Sequence, residues 1–134
     1  MKIKTVLFLV PALTIGGQEK QILGVIRGCK QAGYKVIVAY YGYAHPDNLE
    51  ELENDDVFIN KMPHSKIKQL FKIRNLIAEH QVETIVSYSY IMNIVSILSS
   101  KLSLRKVKVK VKVIVSERNY LPNSLSEKSV FYKF

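Results

Sequence analysis

Apolar residues recur along this chain in two rhythms, short unbroken runs and repeats every three to four positions, and their alternation predicts the elements. Val6 to Val10 form a continuous run that meets Pro11. Such a run has the length of a strand buried on both faces, the signature of a parallel sheet covered by helices. Residues 18–32 then place Ile22, Val25, Ile26 and Cys29 at i, i+3, i+4 and i+7, one face of an amphipathic helix in which Cys29 reads as core. Glu19 suits the first turn of that helix and Gly33 is a natural stop. The next run, Val36 to Tyr41, is closed by Gly42 and completes a strand, helix and strand. Crossovers of this kind are right-handed almost without exception, which puts the turn after Val10 at the carboxyl edge of the sheet.

The same alternation continues. His45-Pro46 marks a turn, Asp47 to Glu53 a short acidic helix, and Val57 to Asn60 a short strand. Residues 65–80 form a second amphipathic helix, with Ile67, Leu70, Phe71, Ile73 and Ile77 on its apolar side and Lys68, Lys72 and Glu79 opposite. Glu83 to Ser87 is a further strand. The helix after it sets Ile91, Ile94, Val95, Leu98 and Leu102 on one face and carries few charges on the other, which predicts a well-buried helix. In Arg105 to Ser116, valines at 107, 109, 111, 113 and 115 alternate with Lys108, Lys110 and Lys112. That is the period of a half-exposed strand with lysines guarding a sheet edge, and Val113 to Ser116 is its buried part. A last helix, capped by Ser124 or Ser126, has barely started at Phe134. The sum is an α/β chain: a Rossmann-like open parallel sheet with helices on both faces, 1–134 being one domain that reads as truncated.

Composition narrows the function classes. With 134 residues, 48% of them hydrophobic, the chain can bury a real core. Its single cysteine excludes an internal disulfide framework and any cysteine-based zinc cluster, and suits a reducing, cytoplasmic compartment. His64 and His80 have no metal-ligand spacing to anything else, so no metal site is expected. No apolar run approaches the ~20 residues of a membrane span, and Pro11 cuts the amino-terminal run too early for a secretory signal. The net charge of +9 is unevenly placed: residues 1–60 hold six Lys/Arg against seven Asp/Glu, residues 61–134 fourteen against four. Such a half attracts polyanions, whether nucleic acid, anionic lipid or a charged substrate. The lysine ladder lacks the interleaved aromatics that base stacking wants, so nucleic acid is the poorer match. The basic helix 65–80 could lie on a membrane surface, although covering the sheet is its simpler role.

Candidate chemistry gathers at the carboxyl edge. Gly16 and Gly17 sit where the first strand gives way to a helix, and the first N–H groups of a helix lack intrahelical partners and carry partial positive charge. Residues without a Cβ let a phosphate or carboxylate approach that backbone, though a plain tight turn would use them too. Gly16, Gly17 and Ile22 do not complete a dinucleotide fingerprint. Ser87, Tyr88 and Ser89 lie in a later strand-to-helix turn at the same edge, as ligand contacts or as capping groups. Glu117, Arg118 and Asn119 leave the last strand there; Arg118 suits a phosphate or carboxylate, or a salt bridge to Glu117.

Taken together, FLVPALTIGGQEKQILGVIRGCKQAGYKVIVAYYG, ETIVSYSYIMNIVSILSSKL and KVIVSERNYLPNSL resemble, in order and over nearly the whole chain, the amino-terminal half of a family 4 glycosyltransferase of the GT-B fold. That family has a GG-E-[RK] loop after the first strand and an S-E-[RH]-N segment closing a later one. The resemblance implies retaining transfer of a sugar from a nucleotide diphosphate sugar to a glycan or lipid-linked acceptor, with no cofactor and no essential metal. It implies that Gly16 and Gly17 face the donor phosphates, with work at the cytoplasmic, inner face of a membrane, peripherally if at all attached. Tyr88 and Arg118 stand where many relatives have histidine, which leaves the acceptor contacts open. The E-x7-E carboxylates of the donor-binding carboxyl-terminal domain are missing, since no two glutamates here are eight positions apart. The chain alone is therefore expected to be inactive. The alternative reading is a non-catalytic basic α/β module that binds anionic lipid or nucleic acid.

Overall fold

The apolar runs become strands of one sheet. The computed structural model describes residues 4–14, 17–88, 90–103 and 111–116. In chain order these form β1 (Thr5–Val10), α1 (Gly17–Gln31), β2 (Lys35–Tyr40), α2 (Pro46–Asn54), β3 (Phe58–Lys61), α3 (Lys66–His80), β4 (Thr84–Tyr88), α4 (Tyr90–Ser103) and β5 (Lys112–Ser116). The strands lie in the order β3-β2-β1-β4-β5 and every pairing is parallel. Register runs from Val6 opposite Val36 and Thr84 to Leu9 opposite Ala39 and Ser87, and Tyr88 pairs with Ser116. Residues 6–10 and 113–116 thus share a sheet, with β4 between them.

β1 is buried along its whole length because each face of its pleat meets a different helix layer. Leu7 and Leu9, with Ile37, Ile85 and Val113, pack on Ile73, Leu76 and Ile77 of α3 and Val95 of α4. Val6, Phe8 and Val10, with Val36, Val38 and Tyr40, pack on Ile22, Leu23 and Ile26 of α1 and Leu52 of α2. Local signals set the boundaries. Gly33 ends α1 at φ +92°, His45 Nδ1 accepts the Asp47 amide ahead of Pro46 in the first turn of α2, and Ser65 caps α3.

The helix faces differ from the expected ones. In α1, Leu23 turns inward while Val25 is 45% exposed. In α3 the buried stripe is Gln69, Ile73, Leu76 and Ile77, and Ile67 and Phe71 face outward at 67% and 50% exposure. A polar tether accompanies this: the buried Gln69 amide donates to the Pro63 carbonyl at 2.7 Å and ties the loop before the helix to its inner face, while Gln69 Oε1 has no hydrogen-bond partner among the described residues. In α4, Asn93, Val95 and Ser99 are buried while Ile94 and Leu98 are 44% and 46% exposed, so the helix is not buried all round. The Ser99 hydroxyl donates a hydrogen bond to the Val95 carbonyl one turn back at 2.7 Å, which lets a small hydroxyl face α3 without an unmet donor. Residues 104–110 and 117–134, with the expected start of the lysine ladder and the last helix, lie outside the described residues.

Candidate functional site

The chain leaves β1 through Pro11 and is gripped at once by the segment leaving β2. The Gly42 amide donates to the Pro11 carbonyl at 2.8 Å, the Leu13 amide to the Tyr43 carbonyl at 3.0 Å, and the His45 amide to the Leu13 carbonyl at 2.9 Å. A Cβ at Gly42 would stand 2.7 Å from the Pro11 oxygen, so this close approach requires glycine. From the first turn of α2, Asn48 donates its side-chain amide to the carbonyls of both Leu13, at 2.8 Å, and Thr14, at 3.2 Å. Thr14 Oγ1 in turn donates to Glu19 Oε1 at 3.0 Å, which closes the turn onto the first turn of α1. The glycine-bearing turn is therefore held on both sides: by α2 at its entry and by Glu19 at its exit. Gly17 opens α1 and Gly16 lies outside the described residues.

The position of this turn in the sheet is what makes it a site. After β1 the chain crosses to β2 on one side, and after β4 it crosses to β5 on the other, so strand order reverses between β1 and β4. Turns on either side of such a reversal diverge and leave a crevice outside the carboxyl ends of the strands, where ligands of open α/β sheets bind. The start of α1 at Gly17 and the end of β4 at Ser87 and Tyr88 lie at this edge. Ser87 is fully buried, donating its hydroxyl to Asn93 Oδ1 of α4 at 2.6 Å, and so braces the turn from within. Tyr88 is 5% exposed, its ring in the core layer beside α1. Ser89, Glu117, Arg118 and Asn119 lie outside the described residues, although Glu117 follows directly on Ser116, the partner of Tyr88.

Sequence reasoning missed the bracing residues Thr14, Gly42, Asn48 and Asn93. Gly42 is visible in the sequence only as a strand stop, and the spacing of Thr14 and Glu19 across the glycine pair is the one local signal. Asn48 acts over a separation of more than thirty positions, which no periodicity reports. Cys29 is half-buried and packs against the α1 core layer, and burial pushes its thiol up from its ordinary range, the reverse of an activated nucleophile. His80 sits at the opposite, amino-terminal edge beside Lys35, where a recess lined by Thr5, Lys30, Gly33, Tyr34 and Lys35 also opens. Among the described residues no group of histidine, cysteine and carboxylate side chains could hold a metal ion.

The architecture has relatives among solved structures. The chain superimposes on a glycosyltransferase from Rickettsia africae ESF-5 with a TM-score of 0.66 at 18% identity, over 91% of this chain and 32% of that one. It superimposes on MurG from Acinetobacter baumannii with a TM-score of 0.63 at 15% identity, over 90% of this chain and 37% of that one. No family model matches the sequence, and no curated protein does. At these identities the likeness is one of fold, and the chain spans about a third of either structure's length. The fold is the Rossmann-like α/β domain found in glycosyltransferases.

Proposed function

We propose that this chain is the acceptor-side domain of a family 4, retaining glycosyltransferase of the GT-B fold, moving a sugar from a nucleotide diphosphate sugar to a glycan or lipid-linked acceptor. The observation that carries this reading is the helix N-terminus opened by Gly17 at the reversal of strand order, with Asn48 bonded to Leu13 and Glu19 to Thr14 on the approach to it. Preorganised N–H groups there stabilise the negative charge that grows on the leaving diphosphate. Gly16 and Gly17 are the donor-phosphate contacts in this proposal. Ser87 and Tyr88 shape the floor of the cleft, and Ser89, Glu117, Arg118 and Asn119 supply its acceptor side. The nucleotide itself belongs to a second domain of the same enzyme type, so 1–134 alone transfers no sugar. The work is assigned to the cytoplasm; no helix among the described residues is long and apolar enough to cross a membrane.

The test is an amide chemical-shift titration of the 134-residue chain with uridine and guanosine diphosphates. Saturable shifts at Gly16 and Gly17 are expected, weakened about tenfold or more by Gly17→Asp, which sets a carboxylate where the diphosphate would lie. Shifts confined to the amino-terminal edge, or shifts at Gly16 and Gly17 that Gly17→Asp leaves unchanged, would overturn the reading. So would sugar transfer by 1–134 alone.

A further inference from the structure

At the amino-terminal edge of the sheet, the far end of the strands from the glycine-bearing turn, a recess of about 310 Å³ opens between the end of α1 and the starts of β1 and β2. Thr5, Lys30, Gly33, Tyr34 and Lys35 line it. Thr5 and Lys35 are register partners, so their side chains rise on the same face of the sheet, the threonine buried and the lysine exposed. Lys30, in the last turn of α1, is half-buried. Among the described residues neither ammonium is paired with a carboxylate. Lys30 Nζ donates to the backbone carbonyl of Asp56 at 3.3 Å and Lys35 Nζ to His80 Nδ1 at 3.0 Å, both uncharged acceptors. An ammonium has three donors, so two on each lysine are left over. Arg27, one turn back on the same helix, is the contrast: Glu51 and Asp55 both pair with it. The end of α1 does not absorb the spare donors either, because the carbonyls of Gly28, Cys29 and Lys30 already accept the amides of Ala32, Tyr34 and Gly33.

From this we infer that the recess is a binding site for a small phosphate-bearing anion, the free ion or a short monoester. A phosphate dianion offers enough charge and enough oxygens for two part-used ammoniums to share, whereas a carboxylate brings a single charge and two oxygens. Charge thus selects the class of ligand, and volume selects its size. At about 310 Å³ the recess stands at the bottom of the range for small-molecule sites, with room for a phosphate and a few carbon atoms but not for a whole nucleoside diphosphate. The lysine stems and the Tyr34 ring give its wall an apolar part, which suits the carbon arm of an ester. An anion held here is also felt by His80, which has Lys35 against Nδ1, the Phe58 ring 5.1 Å from its own, and Glu79 beside it on α3. Burial and then the Lys35 charge hold that imidazole below its ordinary value, so a phosphate on Lys35 cancels part of the repulsion and raises the His80 titration. The inference does not rest on the transferase reading: the recess and Gly17 lie at opposite ends of the strands, and either can fail alone.

The test is an amide chemical-shift titration of the 134-residue chain with sodium phosphate, chloride keeping the ionic strength constant. Saturable shifts at Gly33, Tyr34 and Lys35 are expected, with a Kd of about 1–10 mM or tighter, together with a rise in the His80 ring titration. Lys30→Gln and Lys35→Gln should each weaken binding about fivefold or more, and in Lys35→Gln the His80 titration should no longer respond to phosphate. Arg27→Gln, on the same helix but outside the recess, should leave binding unchanged. Sodium acetate should bind about tenfold more weakly than phosphate, or less well still. Glycerol 1-phosphate binding more tightly than inorganic phosphate assigns the recess to a monoester, and the reverse order assigns it to the free ion. No saturation by about 50 mM phosphate, acetate equal to phosphate, or binding that survives both lysine changes would overturn the inference.

Discussion

Single residues decide whether the glycine-bearing turn is held, and Gly42 is the sharpest case. Its amide reaches the Pro11 carbonyl and its missing Cβ is what permits the approach, with Ala12 Cβ a further 3.3 Å contact. Gly42→Ala must push the two loops apart, at an expected cost of about 1–3 kcal/mol in urea unfolding. The displaced residues are those that position Leu13 and Thr14, so the amides of Glu19 and Gln18 should shift in the same variant. At the other edge His80 gives a pH dependence. The Lys35 ammonium donates to Nδ1 at 3.0 Å, which fixes the proton of the neutral ring on Nε2, a buried atom with no hydrogen-bond partner among the described residues. Burial first, and Lys35 second, hold the imidazole below its ordinary 6.5, against a smaller opposing pull from Glu79. The native state therefore binds this proton less readily than the unfolded chain does. Its contribution to stability is complete above the ordinary imidazole value and is lost as pH falls through the lower native one. A ring-proton titration should place His80 below 6.5, and Lys35→Gln should raise it.

Elements were legible where their signal is local. The run at Val6–Val10 and the glycine stop after α1 need nothing beyond their neighbours in sequence, and the structure has β1, α1 and β2 where the alternation put them. Helix orientation was less legible, because α3 and α4 each carry apolar residues on more than one side. Gln69 takes an inward place over Phe71 and bonds to the Pro63 carbonyl, and Ser99 turns inward over Leu98 because it fits between helices. Of the candidate site, the glycine pair was readable, but its supports come from α2 and are fixed only by tertiary contact. One helix end was unreadable for a different reason. Gln81 terminates α3 in the left-handed region, at φ +54°, a conformation that sequence assigns to glycine or asparagine. Its side chain donates to the Ala78 carbonyl at 2.7 Å, an exposed bond of small net value. Gln81→Gly should therefore stabilise the protein by about 0.5–1 kcal/mol, seen as a rise of a few degrees in the thermal midpoint.

At the scale of the whole molecule, stability should be graded across the sheet, with the site hung from its most stable strand. β1 has a parallel partner on each side and a helix layer on each face, so its amides open only when both core layers come apart. β3 is four residues long, pairs only with β2 among the described residues, and leaves Phe58 46% exposed. Opening it breaks one short ladder and little apolar contact. Native-state hydrogen exchange should then follow two regimes. Amides from Leu7 to Leu9 should exchange with the free energy and denaturant slope of global unfolding. Ile59 and Asn60 should exchange faster, with a slope near zero, through a local opening that leaves β1 paired. The segment 11–14 continues directly from β1, and its bonds to the loop after β2, to α2 and to Glu19 hang the approach to α1 from that strand. If β3 instead exchanges with the slope of β1, the sheet opens as one unit and that grading is absent. The segment 11–14 would then depend on its own bonds, those of Asn48 and Glu19 with the backbone bonds to the loop after β2, and Asn48→Ala would accelerate exchange at Leu13 without touching Leu7 to Leu9.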